Sequence, residues 1–130
     1  IALLILVSIT GLGWLIAAFL LYRRRPFARC ERALKKLAKS PPSDERLHKA
    51  MRLLHVAFDR TRGRVMFEEH IDDFCMKIPD FNLLKNNLHT FFKCSRDLFY
   101  LKEHRYDLEG TFLFVVELAA AAAVIEKERR

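Results

Sequence analysis

Hydrophobic positions follow two different patterns along the chain. Residues 1–22 are apolar or small and carry no charge, whereas apolar residues recur at spacings of three and four through most of the remaining sequence. A helix rising about 1.5 Å per residue would span roughly 33 Å over the first segment, enough to cross a hydrocarbon core of about 30 Å. The first pattern therefore predicts a transmembrane helix, and the second predicts amphipathic helices.

Positive charge directly after the apolar segment predicts its orientation. The positive-inside rule places the side with the arginines in the cytoplasm, so residues 23–130 are expected there after a single pass. A cleaved secretory signal would carry its charge before a shorter apolar region, so we do not expect cleavage. Four arginines at this border are expected to contact anionic lipid headgroups. They are Arg23, Arg24, Arg25 and Arg29.

Local signals predict where the first two helices of the soluble part begin and end. A first amphipathic helix starts near Phe27 and must end before Pro41 and Pro42, because proline cannot continue a helix. Ser43 is placed to cap a second helix, and Gly63 supplies its stop. The sequence therefore predicts where the first helix ends and where the second begins and ends.

The second half of the chain predicts three more helices. Phe67 begins the apolar face of a third helix that Pro79 closes, and Asp80 is placed to cap a long fourth helix. A last helix is expected over residues 111–130. Its apolar stretch, residues 112–125, is too short for a second membrane span. The letters FLFVV within it could form a strand, but no second strand is present to pair with it.

These elements define the expected fold class and domain organisation. The chain is predicted to be all-α, with one N-terminal transmembrane helix at residues 1–22 followed by a bundle of four or five helices. Residues 23–130 would form one cytosolic domain with a basic juxtamembrane segment at residues 23–39. The apolar positions predict a shared core. Its expected members are Leu54, Phe58, Phe67, Phe74, Leu84, Leu88, Phe91 and Leu98.

Charge is distributed unevenly and bears on the partners. Residues 23–64 hold fourteen Lys or Arg against four Asp or Glu, while residues 65–130 hold nine against twelve. Basic residues next to a span attract anionic lipids, whereas nucleic-acid binders usually interleave aromatic residues with the basic ones or contain a known module. Neither feature is present. The pattern favours a lipid surface and argues against nucleic acid.

Residues with catalytic or metal-binding chemistry are sparse. His70 with Cys75 and His89 with Cys94 are five positions apart, which places the two side chains on different helix faces, and no tighter ligand pair occurs. No G-x-S-x-G, phosphate-binding glycine loop or Ser/His/Asp grouping can be assembled. We therefore expect a protein without enzymatic activity, metal or cofactor. An odd number of cysteines on the reducing side predicts free thiols.

Two sequence patterns resemble those of a known family. They are H-x-A-F-D-x-T-x-G-x-x-x-F over residues 55–67, and P-x-F followed by F-F-x-x-S-R-x-L-F over residues 79–99. Together with the preceding apolar segment and its basic border, they resemble the C-terminal region of MxaA-type proteins, accessory factors of methanol dehydrogenase. The resemblance covers residues 26–101. No residue within it is a recognised catalytic ligand.

The resemblance implies a role and a location. It implies a single-pass protein of the bacterial inner membrane that helps a periplasmic, PQQ-dependent and calcium-containing dehydrogenase to mature, with calcium insertion as one candidate step. It also implies a MoxR-type ATPase or other assembly factors as protein partners. Because the dehydrogenase is periplasmic and the helical domain is expected inside, the domain itself could not hand calcium over directly. It would have to act through protein contacts.

The turn after the second helix is the expected protein contact. Asp59, Arg60, Arg62 and Arg64 lie in a short, charged segment that turns at Gly63, and the side chains of an interaction loop should stay exposed. The alternative is a plain helix stop with a solvated basic rim. In that case Asp59 would cap the turn or pair with Arg62 or with an arginine of the fourth helix, Arg96.

A second class of function stays open on the sequence alone. A membrane helix followed by a helical bundle also suits a tethered regulatory or receptor module that relays an extracytoplasmic signal. A sensor kinase would need a phosphoacceptor motif such as H-E-x-x-N/T-P, which none of the five histidines matches. The upstream sequence would separate the two classes, by showing either an accessory-type or a ligand-sensing periplasmic domain.

Overall fold

A computed structural model describes residues 10–16, 25–100 and 106–129, and the regular structure in these ranges is helical, with no strand. The all-α class is therefore confirmed for this part of the chain. The α-helices of residues 25–129 are α1 (Pro26–Leu37), α2 (Asp44–Arg62), α3 (Ile71–Lys77), α4 (Lys85–Tyr100) and α5 (Leu108–Glu128). Two short 3₁₀ helices, Glu68–His70 and Pro79–Leu84, precede α3 and α4.

The boundary signals of α2 act as predicted. The Ser43 hydroxyl accepts a hydrogen bond from the Arg46 backbone N–H at 3.0 Å, which satisfies one of the unpaired donors at the helix start. Gly63 has a φ of +88°, a conformation that costs glycine little because it has no Cβ. Its N–H donates to the Asp59 carbonyl at 2.8 Å and closes the last turn.

The prediction for the start of the fourth helix is wrong. Asp80 caps nothing, because Pro79 opens a 3₁₀ helix at that point and α4 itself begins only at Lys85. The residue preceding the 3₁₀ helix is Ile78, whose side chain cannot accept a hydrogen bond. The apolar spacing was still informative, since Phe81 is fully buried in the tighter helix.

The core contains most of the residues that the apolar spacing predicts. Phe58 lies at its centre, with its ring within about 6.5 Å of five other phenylalanine rings. Two predicted members differ: Leu84 is only partly buried, and Phe67 is 58% exposed. Met66 fills the core instead, because its N–H bonds the Asp59 carboxylate at 2.8 Å and turns its side chain inwards. The five rings belong to Phe27, Phe74, Phe81, Phe91 and Phe92.

Helices α1, α2 and α5 pack side by side, with α1 antiparallel to both α2 and α5. The ring of Phe27 at the start of α1 contacts the ring of Phe58 near the end of α2, at 4.9 Å between centroids. We call this the proximal end, because it adjoins the predicted membrane border. At the opposite, distal end the buried Arg46 donates to the Ser40 carbonyl at 2.8 Å and to the Glu109 carboxylate at 2.7 Å.

One helix in the described ranges, α5, is long and apolar enough to cross a membrane by length and composition. Its most apolar 18-residue window has a mean hydropathy of 1.9, and 33% of that window is buried in the domain. The sequence estimate of a fourteen-residue stretch was therefore too short. A core helix of a soluble domain meets the same criteria, and α5 packs against α1 and α2 through residues such as Phe112, Val115 and Ala119.

The predicted N-terminal span lies mostly outside the described residues. Residues 10–16 are helical and all exposed, including Trp14 and Leu15 at 79% and 70% exposure. The rest of residues 1–22, together with Arg23 and Arg24, lies outside the described ranges. The span at residues 1–22 thus stays a prediction.

Candidate interaction grooves

The start of α1 is capped by a side chain near the end of α5. Glu126 of α5 is 8% exposed, and its carboxylate accepts hydrogen bonds from the backbone N–H groups of Phe27 at 3.0 Å and Ala28 at 3.4 Å. A carboxylate at this position also suits the positive end of the helix dipole. Arg25 precedes α1 with a non-helical φ of −119° and ψ of 72°, so α1 begins as a new helix at Pro26.

A groove of about 1090 Å³ runs between α1 and α2, and we call it the basic groove. No acidic side chain of the described residues lines it. Its floor is apolar and includes Ala33, Leu53 and Val56. Seven basic residues line it: Arg29, Arg32, Lys35, Lys36, Lys49, Arg52 and Arg60.

The basic groove extends along the whole length of α1. Pro26 and Arg60 line it at the proximal end, while Ser40 and Lys49 line it at the distal end. Lys49 also forms an exposed pair with Glu45 at 3.2 Å, one helical turn away. Such exposed pairs contribute little to stability.

A second groove, of about 770 Å³, lies between α2, the first 3₁₀ helix and α4. We call it the aromatic–acidic groove. Exposed rings stand on its rim, with Phe67 58% and Tyr100 82% exposed, and Phe92 and Phe99 line it as well. Its acidic residues are Glu68, Glu69 and Asp72, its basic residue is Arg96, and its remaining lining residues are His55, His89 and Ser95.

Charged groups in and beside this second groove form a network across three elements. Glu68 accepts a hydrogen bond from Arg96 at 3.1 Å and lies 3.7 Å from His89. Asp72 pairs with Lys85 at 2.9 Å. The hydrogen bond from Lys85 and its positive charge lower the pKa of the Asp72 carboxyl, and the same hydrogen bond with the negative charge of Asp72 raises the pKa of Lys85. These exposed pairs join the first 3₁₀ helix and α3 to α4.

At the base of the same groove, a histidine contacts a serine that sequence reasoning did not pair with it. The His55 Nε2 lies 2.6 Å from the Ser95 hydroxyl, and the imidazole packs against the rings of Phe91 and Phe92. Burial lowers the pKa of His55, partly opposed by the charge of Asp59. The distance between residues 55 and 95 in the sequence gave no signal for this contact.

The His55–Ser95 pair differs from a catalytic pair in its surroundings. Ser95 is 3% exposed and lies inside α4, where backbone N–H groups bond the preceding turn and cannot form an oxyanion hole. The nearby Asp59 carboxylate is bonded to the Met66 N–H, which is the arrangement of a loop cap. The pair therefore connects α2 to α4 and positions the base of the groove.

The cysteines are free thiols, as predicted. Burial raises the pKa of Cys30 to about 12, with the charge of Glu31 adding to the effect, and burial also raises the pKa of Cys75. Within the described ranges, no group of three or more His, Cys, Asp or Glu side chains is placed to hold a metal ion. The expectations of no metal and no enzymatic activity stay predictions.

The predicted contact loop divides into structural and exposed residues. Asp59 caps the loop through Met66 rather than pairing with an arginine, and Arg62 donates to the Val65 carbonyl at 2.6 Å. Arg60 and Arg64 are exposed. Two of the four predicted partner-binding residues therefore maintain the turn, and two present charge at the surface.

Antiparallel packing brings together residues that were assigned to different partners. Arg29, predicted to contact lipid, and Arg60, predicted to contact a protein, line the same basic groove. Arg25 is half-buried just before α1. The loop after α2 lies at the proximal end, because α2 runs back towards the start of α1. A position near the membrane border could not be inferred for this loop without that topology.

Sequence reasoning missed several basic residues of the groove. Arg32 and Lys36 follow Arg29 at steps of three and four, and Arg52 follows Lys49 at a step of three. These spacings place basic side chains along one face of each helix, and that periodicity was an available signal. The pairing of the two faces required the structure.

Comparisons with known proteins identify no relative. No protein family, no curated protein and no solved structure matches this chain. The resemblance to MxaA-type proteins therefore stays a prediction from the two sequence patterns.

Proposed function

We propose that this chain is the membrane-anchored, non-enzymatic part of an accessory protein that acts through protein contacts. Residues 1–22 would cross the bacterial inner membrane once, and residues 23–130 would lie in the cytoplasm. The exposed, helical residues 10–16 support an anchor that is separate from the domain core. The absence of acidic residues from the basic groove, as far as the structure describes it, supports a domain held against an anionic surface.

One observation carries the proposed role. Six of the positions that gave the resemblance to MxaA-type proteins line the aromatic–acidic groove, and they come from both sequence patterns. The first pattern contributes its two ends. The six lining residues from the two patterns are His55, Phe67, Phe92, Ser95, Arg96 and Phe99. We infer that this groove is the surface through which the domain contacts a protein partner.

The chemistry of the groove suits that role. Phe67 and Tyr100 expose large rings to solvent, and aromatic residues are enriched at protein interfaces, where their burial contributes much of the binding energy. Glu69 is 77% exposed at the rim, where charges select a partner and guide its approach. A partner with a basic, apolar segment would match this surface. By the resemblance, a MoxR-type ATPase or another assembly factor would be that partner, and maturation of methanol dehydrogenase would be the process.

The test uses the full chain in a methanol-oxidising host. Deleting residues 26–130 while keeping the anchor should leave the dehydrogenase synthesised and exported but poorly active. The double variant Phe67→Ala and Tyr100→Ala should reproduce the defect without lowering the domain's stability, because both rings are exposed. A matched control is Met76→Ala with Leu83→Ala, two apolar side chains of similar exposure outside the groove.

The outcomes separate the two classes of function. A defect in the groove variant but not in the control supports the proposal. If the deletion strain has fully active dehydrogenase, the domain is dispensable for maturation, and a tethered regulatory module becomes the better explanation. If only charge reversal of Arg64, an exposed loop residue that lines neither groove, produces the defect, the contact surface is the loop after α2 and not the aromatic–acidic groove.

A further inference from the structure

We propose that the basic groove is a binding site for an anionic phospholipid, with the phosphate held between the basic residues of α1 and α2 and the glycerol and upper acyl chain over the apolar floor. This inference rests on the membrane anchoring in the proposed function. It adds a defined lipid site to what would otherwise be a general attraction between basic residues and the membrane surface.

Two facing rows of basic side chains form the walls. On α1 the row is Arg29, Arg32 and Lys36, and on α2 it includes Arg52 and Arg60. Steps of three and four align side chains along one face of a helix, so each row follows the groove. A phosphate between the rows can therefore be contacted from both sides, and guanidinium groups suit its oxygens.

The floor explains why the ligand is expected to be an amphiphile. Leu53 and Leu37 line the groove below the charges, and Val56 is 44% exposed there. A free phosphate would leave this apolar surface in water, whereas the glycerol and acyl carbons of a lipid would cover it. The volume of about 1090 Å³ accommodates a ligand much larger than a phosphate ion.

The position of the groove favours a lipid over an acidic protein helix. Pro26 and Arg60 line its proximal end, and Pro26 follows the arginine border of the predicted span directly. Since Arg25 is non-helical, α1 starts a new helix and need not continue along the axis of the span. The proximal end therefore lies where phospholipid headgroups are expected, and each nearby basic residue is attracted to anionic lipid.

The test measures binding of soluble short-chain lipids to the full chain in a neutral detergent. Dihexanoyl phosphatidylglycerol is titrated by calorimetry, with dihexanoyl phosphatidylcholine and inorganic phosphate in parallel. We expect phosphatidylglycerol to bind with at least about tenfold higher affinity than either comparison ligand, since only it matches both the charge and the apolar floor. Equal binding of inorganic phosphate would overturn the proposal, because the floor would then contribute nothing.

Two matched triple variants locate the site. Lys36→Gln, Arg52→Gln and Arg60→Gln remove three charges from the groove, while Lys77→Gln, Lys85→Gln and Lys93→Gln remove three elsewhere. Circular dichroism and thermal unfolding confirm that both variants fold. The affinity for phosphatidylglycerol should fall about tenfold or more in the groove variant only. An equal loss in both would show general charge attraction and refute a defined site.

A further variant tests the floor without touching the basic rows. Val56→Asp places a carboxylate on an exposed position in the groove, and it should abolish the preference for phosphatidylglycerol while leaving the fold intact. Unchanged binding would contradict the proposed position of the lipid. Tighter binding of poly-L-glutamate than of phosphatidylglycerol by the unaltered chain would also overturn the proposal, in favour of an acidic protein segment. None of these measurements involves the dehydrogenase, so a failure of the lipid site can be distinguished from a failure of the proposed role in maturation.

Discussion

The two grooves share one helix and differ in almost every other respect. Val56 and Arg60 of α2 line the basic groove, whereas His55 of the same helix lines the aromatic–acidic groove. Neighbouring positions on an α-helix point about 100° apart, so a single step along α2 changes one groove for the other. The basic groove is lined by long basic side chains over an apolar floor, while the other groove has exposed rings and a network of ion pairs.

This difference shows how a small domain can present two surfaces without two cores. Phe58 points inwards from α2, between the faces that line the grooves, and its ring packs on residues that support both. Phe27 of α1 belongs to the basic side, and Phe91 of α4 belongs to the aromatic–acidic side. Both grooves thus depend on the same core for their stability, while the residues that line each groove can be changed separately.

The largest expected effect comes from removing the shared support. Phe58→Ala should lower the free energy of unfolding by about 3 to 5 kcal/mol, because a fully buried ring is replaced by a cavity. Urea unfolding followed by circular dichroism measures the change. Leu83→Ala is the control at an exposed position and should change stability by less than about 0.5 kcal/mol. A Phe58 variant of unaltered stability would show that the grooves do not depend on a common core.

The next effect should be restricted to the basic side. Glu126→Ala removes the cap from Phe27 and Ala28 and should cost about 1 to 2 kcal/mol, as lost helix caps do. Hydrogen exchange should accelerate at those two amides, and the affinity for phosphatidylglycerol should decrease as the start of α1 frays. Glu126→Gln keeps an acceptor oxygen but loses the charge, so a smaller change is expected. Equal acceleration at the amides of α4 would show that the two sides are not separable.

A pH effect should be restricted to the aromatic–acidic side. Burial holds the pKa of His55 below its ordinary value of 6.5, so the unfolded state binds more protons than the folded state as the pH falls through that value. His55 therefore supports stability above about pH 6.5, and that contribution is lost progressively at lower pH. Between pH 7.5 and pH 5.5, the free energy of unfolding should decrease more in the unaltered chain than in the His55→Asn variant. Identical losses would contradict a buried, neutral His55.

The smallest expected effect concerns thiol reactivity. Cys30 lies under the basic groove with its pKa raised to about 12, and Cys75 is also buried with a raised pKa, whereas Cys94 is half-buried. Because the thiolate is the reactive form, alkylation at pH 8 should modify Cys94 first and Cys30 last. Mass spectrometry of partially alkylated protein gives the order. Early modification of Cys30 would mean that the basic groove opens more readily than its packing indicates.

The sequence was sufficient where one residue determines the local structure. The cap at Ser43, the stop at Gly63 and the prolines after α1 each act within a few positions, and all were predicted correctly. Failure came where two local preferences compete. Asp80 could have capped a helix, but Pro79 starts a 3₁₀ helix one residue earlier. Met66 is buried in the core, whereas its neighbour Phe67 is exposed.

Neither groove could be assembled from the sequence, since each depends on contacts between distant residues. The basic groove needs α1 and α2 to pack in opposite directions, which brings Arg29 beside Arg60. The other groove needs His55 beside Ser95, forty positions away. Charge counts predicted a basic half of the chain, but counts do not indicate which helix faces will meet.

Because Glu126 caps the start of α1, the first helix of the domain is synthesised well before the residue that completes it. Phe27 and its acceptor are separated by 99 positions. At roughly 5 to 20 residues per second, α1 would leave the ribosome about 5 to 20 s before the residue that caps it. If residues 1–22 insert into the membrane as proposed, they can do so before the domain closes, and a nascent chain stalled before residue 126 would leave the start of α1 without its cap.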